Sequence, residues 1–267
     1  MALFSYNMGY ISRKQGRPIA SATAYISGSR LRDSYYGKTY YHNNRDDVMY
    51  SEILLPLNAP LAFGDRQTLV DKINESEIRS DARTARQIKM ALPIELNLEE
   101  QIGLIKGYIN DNFVKLGMVA VVAIHQGSLS KNSKSKDIDP VNERKDNPHA
   151  HVILTTRKVD ENGFNKLKSR EWDKKEYLIM WRKQWADAQN REFERKGLDV
   201  QVSHESYAAR GIKRLPTKHI GLAAMAMENK GVKTERGDIH RKILAQNKKI
   251  IEKKQKMKRE RDYGLTR

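Results

Sequence analysis

Two short apolar segments constrain the fold of this chain more than any other feature. Residues 118–124 have the sequence MVAVVAI and residues 149–156 have HAHVILTT, with a polar stretch rich in serine and lysine between them at 127–147. Apolar segments of this length fit buried strands and are shorter than the roughly 18 residues of a membrane-spanning helix. We therefore predict two buried strands of one sheet joined by a long polar loop.

The other periodic segments predict an α+β fold. Strands are expected at 3–11, 50–55, 87–92 and 199–203, and helices at 18–32, 65–78, 98–116, 174–196 and 217–230. Because strands and helices do not alternate regularly, we expect a central, largely antiparallel sheet with flanking helices. We assign this domain to residues 1–235 and a basic helical C-terminal tail to residues 236–267.

The charge of the chain indicates a polyanionic partner. Fifty basic and 33 acidic residues among 267 give a net charge of +17, which points to nucleic acid. From residue 240 onward there are eleven basic and three acidic residues, so we predict a phosphate-binding arm, with a merely solubilising tail as the alternative. The chain has no cysteine, which excludes disulfides and thiolate metal sites, and we expect no membrane insertion.

Three histidines are expected at one end of the sheet. His149 and His151 are two residues apart on a strand, so their side chains share a face. His125 ends the preceding strand, and antiparallel pairing of the two strands would bring it beside them. Three imidazoles with open positions are typical of a catalytic metal site. The alternative is that they are ordinary polar strand residues.

Tyr25 is a candidate nucleophile. It lies in the small-residue segment IASATAYISGSR, where a DNA backbone could approach the ring closely. Arg30 and Arg32 follow and could neutralise phosphate, so we predict that they bind DNA. A tyrosine needs a base or a metal at the phosphate to attack it. The alternative is that Tyr25 packs against the sheet.

Several segments resemble the MobA/MobL family of relaxases, which nick plasmid DNA at the origin of transfer. They occur in the family's order along residues 1–237 and include ATAYISGSR, YSEILLP, ARQIKMALP, NPHAHVILTTR, WRKQWA and PTKHIG. Five or six segments in one order are far more specific than any single motif.

The resemblance implies a fold of the HUH endonuclease type and a transesterification. It implies that Tyr25 attacks a phosphodiester at nic, forming a 5′-phosphotyrosine, and that His125, His149 and His151 bind Mg²⁺ or Mn²⁺. Other transition metals would also suit three imidazoles. Many relatives have Glu at Gln87, where a carboxylate helps to orient a histidine or the nucleophile. Gln87 could still donate or accept such a hydrogen bond but could not act as a base.

The resemblance also implies partners. These are single-stranded DNA and the DNA hairpin of the origin of transfer, accessory relaxosome proteins and a coupling protein, in the cytoplasm of a bacterium. Two other functions stay open from sequence: a rolling-circle replication initiator and a non-catalytic origin-binding protein. In initiators the nucleophile usually follows the histidine motif, whereas Tyr25 precedes it.

Overall fold

The computed structural model of the chain describes residues 4–126, 148–217 and 220–264. The described residues form two compact units, one of residues 4–126 with 148–204 and the other of residues 205–217 with 220–264. The predicted loop at 127–147 lies outside the described residues. The predicted domain boundary after residue 235 stays a prediction.

The first unit contains nine strands and four α-helices among its described residues. In chain order they are β1 (Tyr6–Ser12), α1 (Ile19–Ser27), β2 (Arg30–Asp33), β3 (Lys38–Tyr41), β4 (Val48–Leu54), α2 (Arg66–Ser76), β5 (Arg83–Ala91), α3 (Leu98–Asn112), β6 (Ala120–His125), β7 (His149–Thr155), β8 (Val159–Asp160), β9 (Gly163–Phe164) and α4 (Lys175–Arg195).

A five-stranded sheet in the order β1-β5-β7-β6-β4 organises this unit, and every neighbouring pair is antiparallel. The apolar segments at 118–124 and 149–156 form β6 and β7, respectively, which are neighbours in this sheet. Helices α3 and α4 cover one face, where Ile105 and Trp185 are fully buried, and α1 and α2 cover the other. The predicted α+β class with a central antiparallel sheet and flanking helices is confirmed.

Local signals explain where two helices begin and end. The Asn97 side chain accepts a hydrogen bond from the Glu100 amide while the Glu100 carboxylate accepts from the Asn97 amide, a capping box that starts α3. Helix α1 ends at Gly28, whose φ of 60° is the left-handed conformation favoured by glycine. The prediction of a helix through residue 32 was therefore wrong, because the chain turns at Gly28 into the β2–β3 ribbon.

Two further predictions were wrong. Residues 199–203 do not form a strand. The Asn190 side chain accepts a hydrogen bond from the Val202 N–H and donates one to the Val202 carbonyl, so these backbone groups are not available to a neighbouring strand. The helix predicted from Thr217 begins only at Leu222, after Gly221, which adopts a φ of 91°. In the second unit this helix, α5 (Leu222–Asn229), is followed by α6 (Glu235–Gly264). No helix in the described part of the chain is long and apolar enough to cross a membrane.

Candidate active site

The structure brings the three predicted histidines together at one end of β6 and β7. His125 lies directly opposite His149 in the strand register, and His151 lies opposite Ala123. The potential ligand atoms of the three imidazoles all lie within 4.8 Å of one another. Their convergence follows from strand alternation and antiparallel pairing, as the sequence predicted.

Burial keeps the rings of His125 and His151 neutral. His125 is fully buried, and its Nε2 donates to the carbonyl oxygen of Ile26 at 2.7 Å. Because a carbonyl can only accept, Nε2 carries the proton and Nδ1 keeps its lone pair. Burial lowers the pKa of His125, and burial with the neighbouring His125 and His149 lowers the pKa of His151 to about 3. Neutral imidazole is the form that binds metal.

The donor set suits a divalent transition metal. Within the described part of the chain, the Nδ1 atoms of His125 and His151 are buried and make no hydrogen bond, as expected of metal-ligand atoms. Imidazole nitrogen is a common ligand for several first-row metals. The cluster could therefore hold one divalent ion.

Tyr25 lies beside this cluster. Its neighbours on α1 are buried against the sheet, whereas the Tyr25 ring is exposed. The centroid of the ring is 6.1 Å from that of His125 and 6.3 Å from that of His151. Tyr25 therefore does not pack into the core, and its hydroxyl group belongs to an exposed side chain next to the histidines.

Arg45 and Asp47 complete this corner, and sequence analysis missed both. The Arg45 guanidinium lies 3.9 Å from the centroid of the Tyr25 ring and donates to the Tyr25 carbonyl oxygen at 3.3 Å. Asp47 accepts from Arg45 Nε at 2.8 Å, and this partner lowers the pKa of the Asp47 carboxyl. The two residues lie just before β4, which pairs Val48 with His125. No local pattern could have found them, because that pairing is long-range.

His42 is a further aromatic neighbour that sequence analysis missed. The centroid of its ring is 5.6 Å from that of Tyr25, in an edge-to-face arrangement. It directly follows β3, so the end of the β2–β3 ribbon lies at the candidate nucleophile. Lys89 of β5 is paired with His151 in the strand register, and its charge contributes to the lowered pKa of His151.

The remaining predicted site residues are Gln87, Arg30 and Arg32. Gln87 is paired with Ile153 in the register, and its Oε1 accepts from Arg17 at 2.7 Å. Among the described residues, its hydrogen-bond partner is thus Arg17 rather than a histidine. Arg30 and Arg32 lie on the exposed face of β2. Their predicted role in DNA binding, and that of Gln87 in orienting a histidine, stay predictions.

Comparison with known proteins identifies the family. A sequence model of the MobA/MobL family matches residues 17–230, most of the chain. The chain belongs to the MobA/MobL family. The match includes Tyr25 and all three histidines of the cluster.

Relatives agree with this membership. The chain is 27% identical to the probable mobilization protein MobA of Bifidobacterium longum over 92% of its length, and 30% identical to the mobilization protein MobL of Acidithiobacillus ferridurans over 86%. It spans 48% of the first protein and 65% of the second. It thus corresponds to only part of these MobA/MobL proteins.

A solved structure of another protein has a similar fold. The structure described as "Molecular Basis of Vancomycin Resistance Transfer in Staphylococcus aureus" is 31% identical to this MobA/MobL chain, with a TM-score of 0.66. The similarity covers 77% of this chain and all of the other.

Proposed function

We propose that this chain nicks one DNA strand at nic in a plasmid origin of transfer and rejoins it after transfer. The observation that carries the proposal is the exposed Tyr25 ring beside three clustered histidines in a member of the MobA/MobL family. Relatives named as mobilization proteins support this proposal. A tyrosine, rather than a water molecule, suits an enzyme that must later reseal the strand.

In the proposed reaction the Tyr25 oxygen attacks the phosphorus of one phosphodiester. A bond forms between that oxygen and phosphorus, and the bond from phosphorus to the 3′ oxygen breaks. The phenol loses its proton, and the departing 3′ oxygen gains one. The number of phosphate ester bonds is unchanged, so the reverse attack by a 3′-hydroxyl rejoins the strand without ATP.

The residues around Tyr25 have distinct roles in this proposal. Arg45 holds the Tyr25 ring and adds positive charge near the phosphate. His125, His149 and His151 hold the divalent ion, for which we favour Mg²⁺ or Mn²⁺. A bound ion would polarise the phosphate and stabilise the charge that develops in the transition state.

The inferred partners follow from this reaction. Nicking requires single-stranded DNA at nic, and we infer that the hairpin of the origin is bound as well. Accessory relaxosome proteins and a coupling protein would complete the transfer machinery in the bacterial cytoplasm. Arg30 and Arg32, both exposed, are the side chains that we assign to phosphate contacts near Tyr25.

A nicking assay tests the proposal. The substrate is a supercoiled plasmid that carries the DNA flanking this protein's own gene. We expect an open circular product with Mn²⁺ or Mg²⁺, none with EDTA, and a protein–DNA adduct that resists SDS. Mapping of the 3′ end and of the adduct would give the nic position.

A pair of matched variants assigns the nucleophile. Tyr25→Phe keeps the ring and removes the attacking oxygen, so it should bind the DNA as the wild type does but form no adduct. Tyr207→Phe makes the same change at another exposed tyrosine and should form the adduct normally. An adduct in Tyr25→Phe would refute the assignment, and no adduct with the wild type on any tested DNA would refute the proposed function.

A further inference from the structure

The outward face of the β2–β3 ribbon carries two arginines and an exposed tyrosine. On β2 the side chains of Arg30 and Arg32 are exposed, while Leu31 between them is buried. Tyr41 of β3 pairs with Arg30 in the register, and its ring centroid lies 5.1 Å from the Arg30 guanidinium. Tyr41 is 62% exposed, which is high for a large aromatic side chain.

Two more exposed tyrosines lie at the turn between the strands. Tyr35 and Tyr36 are 43% and 40% exposed, and their rings contact each other edge to face at 4.9 Å. The buried guanidinium of Arg13 lies 3.6 Å from the centroid of the Tyr35 ring and holds that ring in place. The ribbon thus presents aromatic rings at both of its ends.

A buried carboxylate holds the ribbon in place. Oδ1 of Asp33 accepts from the backbone N–H groups of Tyr35 and Tyr36 at 3.1 and 3.2 Å. The same oxygen accepts from Asn74 at 3.2 Å, and Oδ2 accepts from the Ala20 amide at 3.3 Å. These bonds tie the turn to the first residues of α1 and to α2. The exposed tyrosines therefore stand on a rigid support.

The ribbon leads directly away from the candidate nucleophile. His42, whose ring contacts that of Tyr25, immediately follows Tyr41. Four residues of strand span about 10 Å from Tyr41 to the turn. A strand of DNA with its scissile phosphate at Tyr25 could therefore continue along this face.

We propose that this face is a stacking platform for the bases of single-stranded DNA beside the scissile phosphate. The Tyr41 ring contacts a base, while Arg30 and Arg32 bind the adjacent phosphates. Stacking of bases on aromatic side chains is tolerant of sequence, because every base has a π-face. Duplex DNA does not fit this role, since its base faces are already stacked. The proposal rests on the proposed function for the position of the scissile phosphate.

Binding of base-bearing and abasic strands tests the platform. The probes are a labelled thymidine oligonucleotide of roughly 12 nucleotides and an oligonucleotide of equal length made of abasic sites, which keeps the phosphates. Affinities are measured with the full chain by fluorescence anisotropy. We expect Tyr41→Ala to weaken binding of the thymidine strand by roughly 5- to 100-fold and to leave the abasic strand unaffected. Tyr41→Phe, which keeps the ring, should bind both strands as the wild type does.

Two controls separate stacking from charge and from general damage. Tyr10→Ala removes a tyrosine that also has an arginine over its ring, Arg83 at 4.3 Å, but lies on the sheet face covered by α3 and α4. It should leave both affinities unchanged. Arg30→Gln should weaken both strands and reduce the slope of log affinity against log salt by about 0.7, which Tyr41→Ala should not do.

Equal binding of the two strands by the wild type would overturn the platform without any variant. So would a Tyr41→Ala protein that keeps wild-type affinity for the thymidine strand, or one whose affinity falls equally for both strands. The thymidine oligonucleotide contains no nic, so this result is independent of nicking. If the tyrosine dependence is present but no adduct forms at Tyr25, the proposed function fails and the platform stands.

Discussion

The Oδ2 atom of Asp47 lies 3.8 Å from the Nδ1 atom of His125. That nitrogen is buried and keeps its lone pair, since Nε2 of the same ring donates to a carbonyl. Arg45 holds the Asp47 carboxyl ionised by lowering its pKa. Two electron-rich atoms thus face each other, an arrangement that a bound cation would stabilise. The same carboxylate also accepts a hydrogen bond from Arg45, whose guanidinium lies over the Tyr25 ring.

We therefore expect Asp47→Asn to weaken metal binding. The change removes a negative charge near the histidine cluster but keeps the size of the side chain. Loss of a group that supports metal ligands typically costs about 10- to 100-fold in affinity, and calorimetry with Mn²⁺ would measure it. Asp46→Asn makes the same change at an exposed neighbour and should have little effect. Equal Mn²⁺ affinity in the Asp47→Asn variant and the wild type would contradict this prediction.

Loss of one candidate ligand should have a larger effect. His149→Ala leaves two imidazoles, so we expect Mn²⁺ affinity to fall by more than the roughly 10- to 100-fold of a supporting group, and adduct formation to fall with it. His204→Ala removes a histidine to which we assign no role and serves as the control. If calorimetry gave the same Mn²⁺ affinity for His149→Ala as for the wild type, the cluster would not be the metal site.

Sequence patterns predicted the parts of this site that depend on regular strand geometry. His149 and His151 share a face because side chains alternate along a strand, and His125 joins them because the strands pair antiparallel. Arg45 and Asp47 follow no periodic pattern. They reach the site only because β4 pairs with β6 over a long sequence separation, which a single sequence does not specify.

The β2–β3 ribbon was missed for a different reason. The segment before Arg32 has small residues and favours a helix, but Gly28 and Gly37 both adopt left-handed backbone conformations. Gly28 stops the helix and Gly37 makes the turn of the ribbon. Each glycine alone is a weak signal, and their combination with the buried Asp33 is visible only in the folded chain.

The metal-free protein should lose stability in acid through His151. Its ring lies among His125, His149, Lys89 and Arg45, and burial with these neighbours lowers its pKa from 6.5 to about 3. A histidine with a depressed pKa stabilises the fold above the unfolded pKa, and that contribution is lost as pH falls toward the folded pKa. The free energy of unfolding should therefore decrease from about pH 6.5 downward, by at most about 1.4 kcal/mol per pH unit for each proton.

Urea unfolding at several pH values, with EDTA present, would measure this dependence. His151→Asn lacks the imidazole, so its free energy of unfolding should decrease less steeply below about pH 6.5 than that of the wild type. His204→Asn should keep the wild-type profile. Superimposable profiles for His151→Asn and the wild type would mean that the ring is not held neutral by the fold.

The last prediction concerns α6. Lys248 and Lys249 are exposed on this helix, in the segment to which we assign phosphate binding. Since phosphate contacts carry no sequence information, replacing both lysines by glutamine should weaken binding to origin DNA and to unrelated DNA by similar factors. The slope of log affinity against log salt should flatten by about 0.7 to 0.9 for each phosphate that the variant no longer neutralises, while the nicked phosphate stays the same.

A matched variant separates phosphate binding from overall charge. Lys174→Gln with Lys175→Gln also removes two exposed positive charges, but at the start of α4. It should leave the salt slope close to that of the wild type. The competing view is that α6 is structural, because Ile239, Ile243 and Ile250 are half-buried along it. An unchanged slope in the α6 variant would refute phosphate binding by these lysines and favour the structural role.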